Sequence, residues 1–500
     1  MTNIVKTDII IVGGGPTGVT LALLLARRGV SVVVAEKAPE IYPLPRAAHL
    51  DHEAIRILQE AGVADRVIGT SRRGKCYEFL NANGDVLLRF DAGERIAPGG
   101  WPNGNMIHQP SVEASLREAL AKVDAGALRT GWEVTGGRDI DAGVAVEVAT
   151  PDGPREVHAR YLVGADGARS TVRKACVIEF DDLGFEEEWL VVDTIVHDQE
   201  RLPKSVLQIC DPARPTTCSL MGEGRHRWEF MIKPGETAEQ LSEDMAIARL
   251  LEPWDVEGAV SLERKAIYTF RARVAREWRK GRALLLGDAA HQTPPFAGQG
   301  LCSGLRDAAN LAWKLAAVVR EGAPDSLLDS YQPEREPNVR ATIAMAIMMG
   351  RTVCTIDPVA AAERDRQMLA ARAAGQSPDG TFNYPPIERG LIVAGTPRAG
   401  EYFPQPCAGE HYEIKLDDVL GLGPWLITRT PTAPVSGLVT IALDDPRLAA
   451  FRDALETELA AHAVEAILVR PDRYIFGTGN PGELSRLWSA LMAPQVQAAA

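Results

Sequence analysis

"DIIIVGGGPTGVTLALLLARRGVSVVVAEK", residues 8–37, is the stretch on which the fold turns. Ile9 to Val12 form a continuous apolar run, which predicts a strand buried on both faces. Gly13-x-Gly15-x-x-Gly18 follows, then an apolar helix through Arg28, then a second strand from Val30 to Ala35 ending in Glu36. In such a βαβ unit each glycine has its own task. One makes the tight turn, one lets backbone approach a pyrophosphate, and one lets helix pack closely on strand. Glu36 stands where a carboxylate accepts both ribose hydroxyls of an adenosine and repels a 2'-phosphate. The unit reads as a dinucleotide site open to FAD or NAD and unsuited to NADP. A second Gly-x-Gly-x-x-Gly, at Gly477, Gly479 and Gly482, is read as a turn, because Pro481 sits inside it and too little chain follows for another strand and its acid.

The chain has 500 residues, 46% of them hydrophobic, enough for large cores and roughly three domains at about 150 residues each. A net charge of -13 without clustered Lys or Arg argues against nucleic-acid or anionic-membrane binding. No apolar run approaches the roughly 20 residues that span a bilayer, and no basic leader precedes the first strand, so a cytoplasmic location is expected. Seven scattered cysteines without a C-x-x-C, and nine histidines without ligand spacing, indicate neither a disulfide framework nor a metal site.

A third segment, "GDAAHQTPPFAGQGLCSGLRDAANLAWKL" (287–315), breaks the backbone heavily just before an apolar-patterned helix. Leu301, Leu305, Ala308, Ala309, Ala312, Leu315 and Ala316 recur at spacings of three and four, so the helix starts at Gly300. A helix start carries unpaired N–H groups and partial positive charge. Glycines at 298 and 300 leave room for an electron-rich group against them.

Together with "YLVGADGARSTVR" (161–173), these segments resemble the three motifs of the flavoprotein aromatic hydroxylases, the single-component FAD monooxygenases. "WLVVDTIVHD", "CDPARP", "HRWEFMIKPGETAEQL" and "LLDSYQPERE" look most like the 3-(3-hydroxyphenyl)propionate hydroxylase subfamily, whose neighbours act on other phenols, including polyketide aromatics. The resemblance implies tightly bound, non-covalent FAD, NAD(P)H as transient co-substrate, O2, and a small aromatic substrate. Ortho-hydroxylation of a phenol through a flavin C4a-hydroperoxide is the implied reaction. It implies that Gly13, Gly15 and Gly18 hold the pyrophosphate, Glu36 the ribose, Gln109 and Asp288 the ribityl chain, and that Arg46 assists the nicotinamide. Asp166 lies in a motif associated with both FAD and NAD(P)H, and Gly287 precedes Asp288 in the third motif. Pro295 matches a proline whose carbonyl faces the substrate hydroxyl. Cys302 stands where the type enzyme has asparagine, so only its backbone N–H carries over. The N–H groups at Gly300, Leu301 and Cys302 would stabilise the negative charge of reduced flavin.

Phenol activation also wants a base. His291 fits the family motif and is a catalytic candidate, with a buried structural role as its alternative. His49 and His52 are weaker candidates. Arg214, Arg225, Arg227 and Arg273 are available for a substrate carboxylate, while Trp228, Phe230 and Tyr268 read as core.

The expected fold class is α/β: a Rossmann-like FAD-binding domain, an inserted antiparallel-sheet substrate domain and a C-terminal thioredoxin-like domain. Residues 1–75, 103–180 and 280–350 build the first, 76–102 and 181–279 the second, 351–389 a helical linker, and 390–500 the third. Cys407 is alone there, so packing or homodimerisation is expected of that domain in place of redox activity. A flavin oxidase or halogenase on the same fold is the competing enzyme reading, although W-x-W-x-I-P is absent. A non-catalytic flavin-binding scaffold is the competing reading from another class.

Overall fold

Residues 3–91, 96–380 and 384–493 are described by the computed structural model. Ile9–Val12 is an inner strand of a six-stranded sheet ordered Arg279–Lys280, Ala283–Leu285, Tyr161–Gly164, Ile9–Val12, Val32–Glu36, Leu128–Thr130. All neighbours pair in parallel except the first two, and Ile9, Ile10 and Ile11 are fully buried. Helix Pro16–Ala26 ends two residues short of Arg28 and begins with a proline, whose missing N–H would have no partner there anyway. The chain enters this sheet by an offset. Asn3–Lys6 belongs to a separate four-stranded sheet with residues 133–159, and Asp8, which accepts from Ser31 N (3.0 Å), marks the break.

The second large sheet has eight strands, ordered His291–Gln292, Val260–Ala275, Phe180–Val196, Arg225–Met231, Thr216–Met221, Val206–Ile209, Cys76–Leu80, Val86–Asp91. It is antiparallel as expected except at one seam, where Val206–Ile209 runs parallel to Cys76–Leu80. These two strands are joined by more than a hundred residues of chain, so no hairpin forces them to run opposite ways.

In the C-terminal part the order is Val439–Ala442, Trp425–Thr428, Ala466–Val469, Ile475–Gly479, the first pair parallel and the others antiparallel. This is the thioredoxin-like arrangement. Residues 429–438, which join the parallel pair, form a loop where that fold carries a helix. The second glycine motif is more than a turn: Gly477 lies inside the last strand, and Asn480 caps helix Pro481–Met492 by accepting from Gly482 N (3.0 Å) and Glu483 N (3.1 Å).

Helix Gly300–Ala316 departs from the one-sided stripe. Arg306, Asp307, Asn310 and Lys314, on what would be its polar side, are buried as deeply as its leucines. Their partners come from elements distant in the chain, with Asn310 and Lys314 sharing Glu334. Lys314 pairs with Glu334 (2.7 Å), which also receives Arg470 (2.6 Å) and Asn310 (2.7 Å), tying helix Tyr331–Val353 to the C-terminal sheet. Helix Tyr331–Val353 also runs across residue 350, where the linker was expected to begin. Burial alone would raise the Glu334 pKa. Arg470 and Lys314 overcome it and hold the carboxyl at about 2.

Two outcomes are expected. Glu334→Ala strands two buried cations and lowers unfolding free energy by about 3–5 kcal/mol, read by denaturant titration of the holoenzyme. Because the native pKa lies below the ordinary 4.5, the ion-pair contribution is complete above that value and is lost as pH falls towards 2. The acid-induced loss of stability should therefore be shallower in Glu334→Gln.

Candidate active site

The glycine loop is built as its spacing requires. A side chain on Gly13 would meet Ala165 O at 2.4 Å, and one on Gly18 would meet Gly13 O at 2.1 Å, so both are confined to hydrogen. A Cβ on Gly15 meets nothing within 4 Å, which leaves its backbone open to a ligand. Glu36 accepts from Gly14 N (2.6 Å) and Ala38 N (2.8 Å), so the carboxylate is oriented by the loop it serves. Asp166 caps the next motif by accepting from Thr171 N (2.6 Å), while its Oδ1 is buried without a partner.

Gln109, heading helix Gln109–Val123, accepts from Arg46 N (3.1 Å) and Ala47 N (2.7 Å), and so fixes the 45–47 loop. Arg46 itself is exposed, its guanidinium 5.0 Å from the Tyr42 ring. Sequence reasoning missed Arg117. Its Nη2 donates to Gly14 O (3.0 Å) and Glu113 (2.6 Å), and its Nε is buried without a partner. Its place two turns beyond Gln109 on one helix was the available signal.

Gly287 has φ +58°, and its N–H donates to Asp307 (3.1 Å). The same carboxylate receives His291 Nε2 (2.6 Å) and Arg335 (2.9 Å), all fully buried. Burial would raise the Asp307 pKa, but His291 and Arg335 reverse it, and the net shift is downward. The His291 ring is enclosed beside Trp278, 5.3 Å between centroids. His291 is thus buried with Nε2 engaged by the carboxylate that holds the Gly287–Asp288 turn and with Nδ1 lacking a partner, which fits the buried structural alternative. Asp288 remains accessible and makes no hydrogen bond or ion pair among the described residues. The surrounding protein raises its pKa, against the pull of His291 and Arg46.

Beyond it the Pro295 carbonyl accepts from Gly298 N (2.8 Å), closing a turn, so it is less free than expected for a substrate hydroxyl. Gly298 has φ +63°, and its carbonyl meets His49 Nδ1 at 3.2 Å. The first helical bond is Ser303 N to Gln299 O (2.9 Å), so the N–H groups of Gly300, Leu301 and Cys302 precede it. A Cβ on Gly300 would find its nearest neighbour at 4.0 Å. His52 Nδ1 accepts from Gly99 N (3.0 Å) in a buried structural contact.

The eight-stranded sheet meets this loop at Phe296. Its ring packs on Trp189 (5.5 Å), Phe185 (5.8 Å) and Phe270 (6.0 Å), and its carbonyl accepts from the Tyr77 hydroxyl (2.5 Å). Tyr77 in turn accepts from Gln208 (3.0 Å), whose carbonyl receives the Thr217 hydroxyl (2.8 Å). Further along, Arg227 and Arg264 share Asp193 and both donate to Pro45 O (2.6 and 2.8 Å). Of the arginines available for a substrate carboxylate, Arg214, Arg225, Arg227 and Arg273 carry Glu236, Glu263, Asp193 and Asp182. Trp228 and Phe230 lie in the core as expected, on the opposite face, and Tyr268 bonds Arg264.

An open glycine cradle, orphaned polar atoms at Asp166 and Arg117, and a bare helix start under an aromatic-lined sheet fit FAD. The chain belongs to the FAD binding domain family, whose model matches residues 6–346. It is 38% identical, over 97% of its length and 94% of the relative's, to a protein named probable NADH-specific resorcinol 4-hydroxylase from Rhodococcus jostii (strain RHA1). It is 35% identical, over 97% and 92%, to a 3-(3-hydroxy-phenyl)propionate/3-hydroxycinnamic acid hydroxylase of Mycolicibacterium smegmatis (strain ATCC 700084 / mc(2)155). The structure of aklavinone-11 hydroxylase with FAD and aklavinone superposes with TM-score 0.78 at 25% identity, covering 97% of this chain and 99% of that one. The chain is an FAD-dependent enzyme of the aromatic hydroxylase family. Among the described residues no single helix is long and apolar enough to cross a membrane.

Asp288→Ala is expected to release FAD with little loss of fold, since no internal contact depends on that carboxylate. The ratio of 450 to 280 nm absorbance after gel filtration reads the loss, and a variant that stays fully yellow would contradict the assignment.

Proposed function

We propose that the enzyme hydroxylates a phenol ortho to its hydroxyl, using NAD(P)H and O2. The observation that carries this reading is the loop Pro295–Gly298, held between the open helix start at Gly300 and the Trp189–Phe270 face of the sheet. Bound flavin supplies the redox chemistry, taking a hydride from the nicotinamide and activating oxygen. The chain supplies the surroundings. N–H groups of Gly300, Leu301 and Cys302 would offset the negative charge of a reduced flavin. Phe296 and its aromatic neighbours keep water away from the reacting atoms. Asp307 holds the Gly287–Asp288 turn at one end of the loop, and Tyr77 holds Phe296 in the middle. Arg46, exposed and within electrostatic reach of Asp288, suits a transient anionic co-substrate. The resemblance to an NADH-specific relative supports NADH over NADPH.

Purified yellow protein should consume NADH faster in the presence of a phenol, with oxygenated product matching the NADH consumed. Consumption that yields only hydrogen peroxide across a phenol panel would favour the oxidase reading instead. Tyr77→Phe removes both hydrogen bonds of that hydroxyl, to Phe296 O and from Gln208, about 2 kcal/mol together, and frees the loop. The expected result is a severalfold larger peroxide share at nearly unchanged NADH consumption, measured by parallel product and peroxide assays.

A further inference from the structure

Strand register divides the loop-facing side of the eight-stranded sheet into three rows. Trp189 and Met231 are paired and lie under Phe296. Asp193 and Arg227 are paired, and with Arg264 they lie under the Pro45–Arg46 loop. Between them runs a row in which Gln208 pairs with Thr217, Thr217 with Glu229, Glu229 with Val191, and Val191 with Ala266. One end of this row is polar and the other is small and apolar. Two loops clamp the sheet on either side of it, so the row lines the space between them.

Glu229 is 6% exposed, and its nearest cation is Arg227 at 3.7 Å, beyond hydrogen-bond distance. Burial raises its pKa and Asp193 adds to the shift, while Arg227 and the neighbouring Thr217 hydroxyl pull against it. Arg227 and Arg264 are two cations matched by two carboxylates, Asp193 and Glu229, so the cluster is neutral with Glu229 ionised. The remaining arginines of the sheet's margin, Arg214, Arg225, Arg271 and Arg273, each carry a glutamate or aspartate. Arg46 is exposed on the rim, beside Tyr42. Of these arginines only Arg46, out on the rim, lacks a carboxylate partner among the described residues, so a substrate carboxylate within the row itself would meet the Glu229 carboxyl and arginines already paired.

We propose that Glu229 is the specificity-determining residue of the substrate site: it accepts a hydrogen bond from a ring hydroxyl, with Thr217 and Gln208 beside it, and it selects an uncharged phenol or dihydroxybenzene over a phenol that bears a carboxylate. A buried carboxylate left without its ligand hydroxyl gives discrimination of the kind an apolar pocket does not. The apolar ring then lies towards Val191 and Ala266. This inference rests on the hydroxylase reading for the ligand's being a phenol.

The test uses FAD-loaded wild type, Glu229→Gln and Glu229→Asp. Resorcinol and 3-(3-hydroxyphenyl)propionate are titrated against the change in flavin absorbance, and NADH-driven turnover is measured separately. Wild type should bind resorcinol at least tenfold more tightly than the carboxylated phenol. Glu229→Gln should weaken resorcinol binding about tenfold or more and narrow that preference, with FAD content unchanged because Arg227 keeps Asp193. Glu229→Asp, which retains the charge, should still reject the carboxylated phenol, and it carries the test if the glutamine variant loses flavin. Unchanged resorcinol affinity in Glu229→Gln, or a wild type that favours the carboxylated phenol, would overturn the proposal. Turnover with neither phenol would count against the hydroxylase reading, while the binding titration would still decide the role of Glu229.

Discussion

A buried helix that carries charge governs this structure. Gly300–Ala316 is enclosed on all sides, and its Arg306, Asp307, Asn310 and Lys314 must each find a partner where water cannot supply one. Arg306 takes Asp51 (2.7 Å) and Glu53 (2.5 Å) from one neighbouring helix. Asp307 takes Gly287, His291 and Arg335. Asn310 and Lys314 take Glu334, and through it Arg470 of the C-terminal sheet. The apolar side of the same helix packs on Pro16–Ala26, where Gly304 gives way to Thr17: a Cβ there would stand 2.8 Å from its hydroxyl. Four parts of the chain are thus aligned by one element, whose N-terminus follows the Pro295–Gly298 turn.

The consequence for chemistry is rigidity where it is needed. The loop 294–299 is anchored by the buried Phe296 ring and fixed at two carbonyls, Gly298 O by His49 and Phe296 O by Tyr77, each from a different region. A loop held this way can present backbone N–H groups in a constant geometry, which is how fixed dipoles stabilise developing charge without reorganisation. The 45–47 loop is treated alike, with Gln109 on one side and Arg227 with Arg264 on the other. Both loops brace the sheet, and the row containing Glu229 lies between the two braces.

The thioredoxin-like part is fastened to the rest of the chain by buried charge. Arg56 pairs with Asp417 (2.6 Å) and donates to Phe403 O (2.6 Å), and Asp417 also receives Arg473 (3.1 Å). Such pairs contribute less net stability than an apolar contact of the same size, but they fix one relative arrangement, because any other strands the charges. Through Asp417, Asp472 and Arg470 the part contacts helices 52–61, 300–316 and 331–353.

The sequence alone determined the dinucleotide end. Gly13, Gly15, Gly18 and Glu36 are close in the chain, and their demands are local: a turn, a close approach, an acid at the end of the next strand. It also determined the helix start at Gly300 and, by resemblance, the flavin chemistry. It could not determine the partners. Arg306, Asp307 and Lys314 look like the solvated side of an amphipathic helix until Asp51, His291, Arg335 and Glu334 arrive from elsewhere. His291 has the sequence context of a catalytic residue, and its enclosure by Trp278 and Asp307 is visible only in the fold. Glu229 sits in a strand among arginines and aromatics with no motif around it. Register with Thr217 and Val191, and a loop clamped on each side, bring it to the substrate site. Local geometry is written in residues a few positions apart, whereas the burial and pairing of a charge depend on surfaces that meet only when the chain is folded.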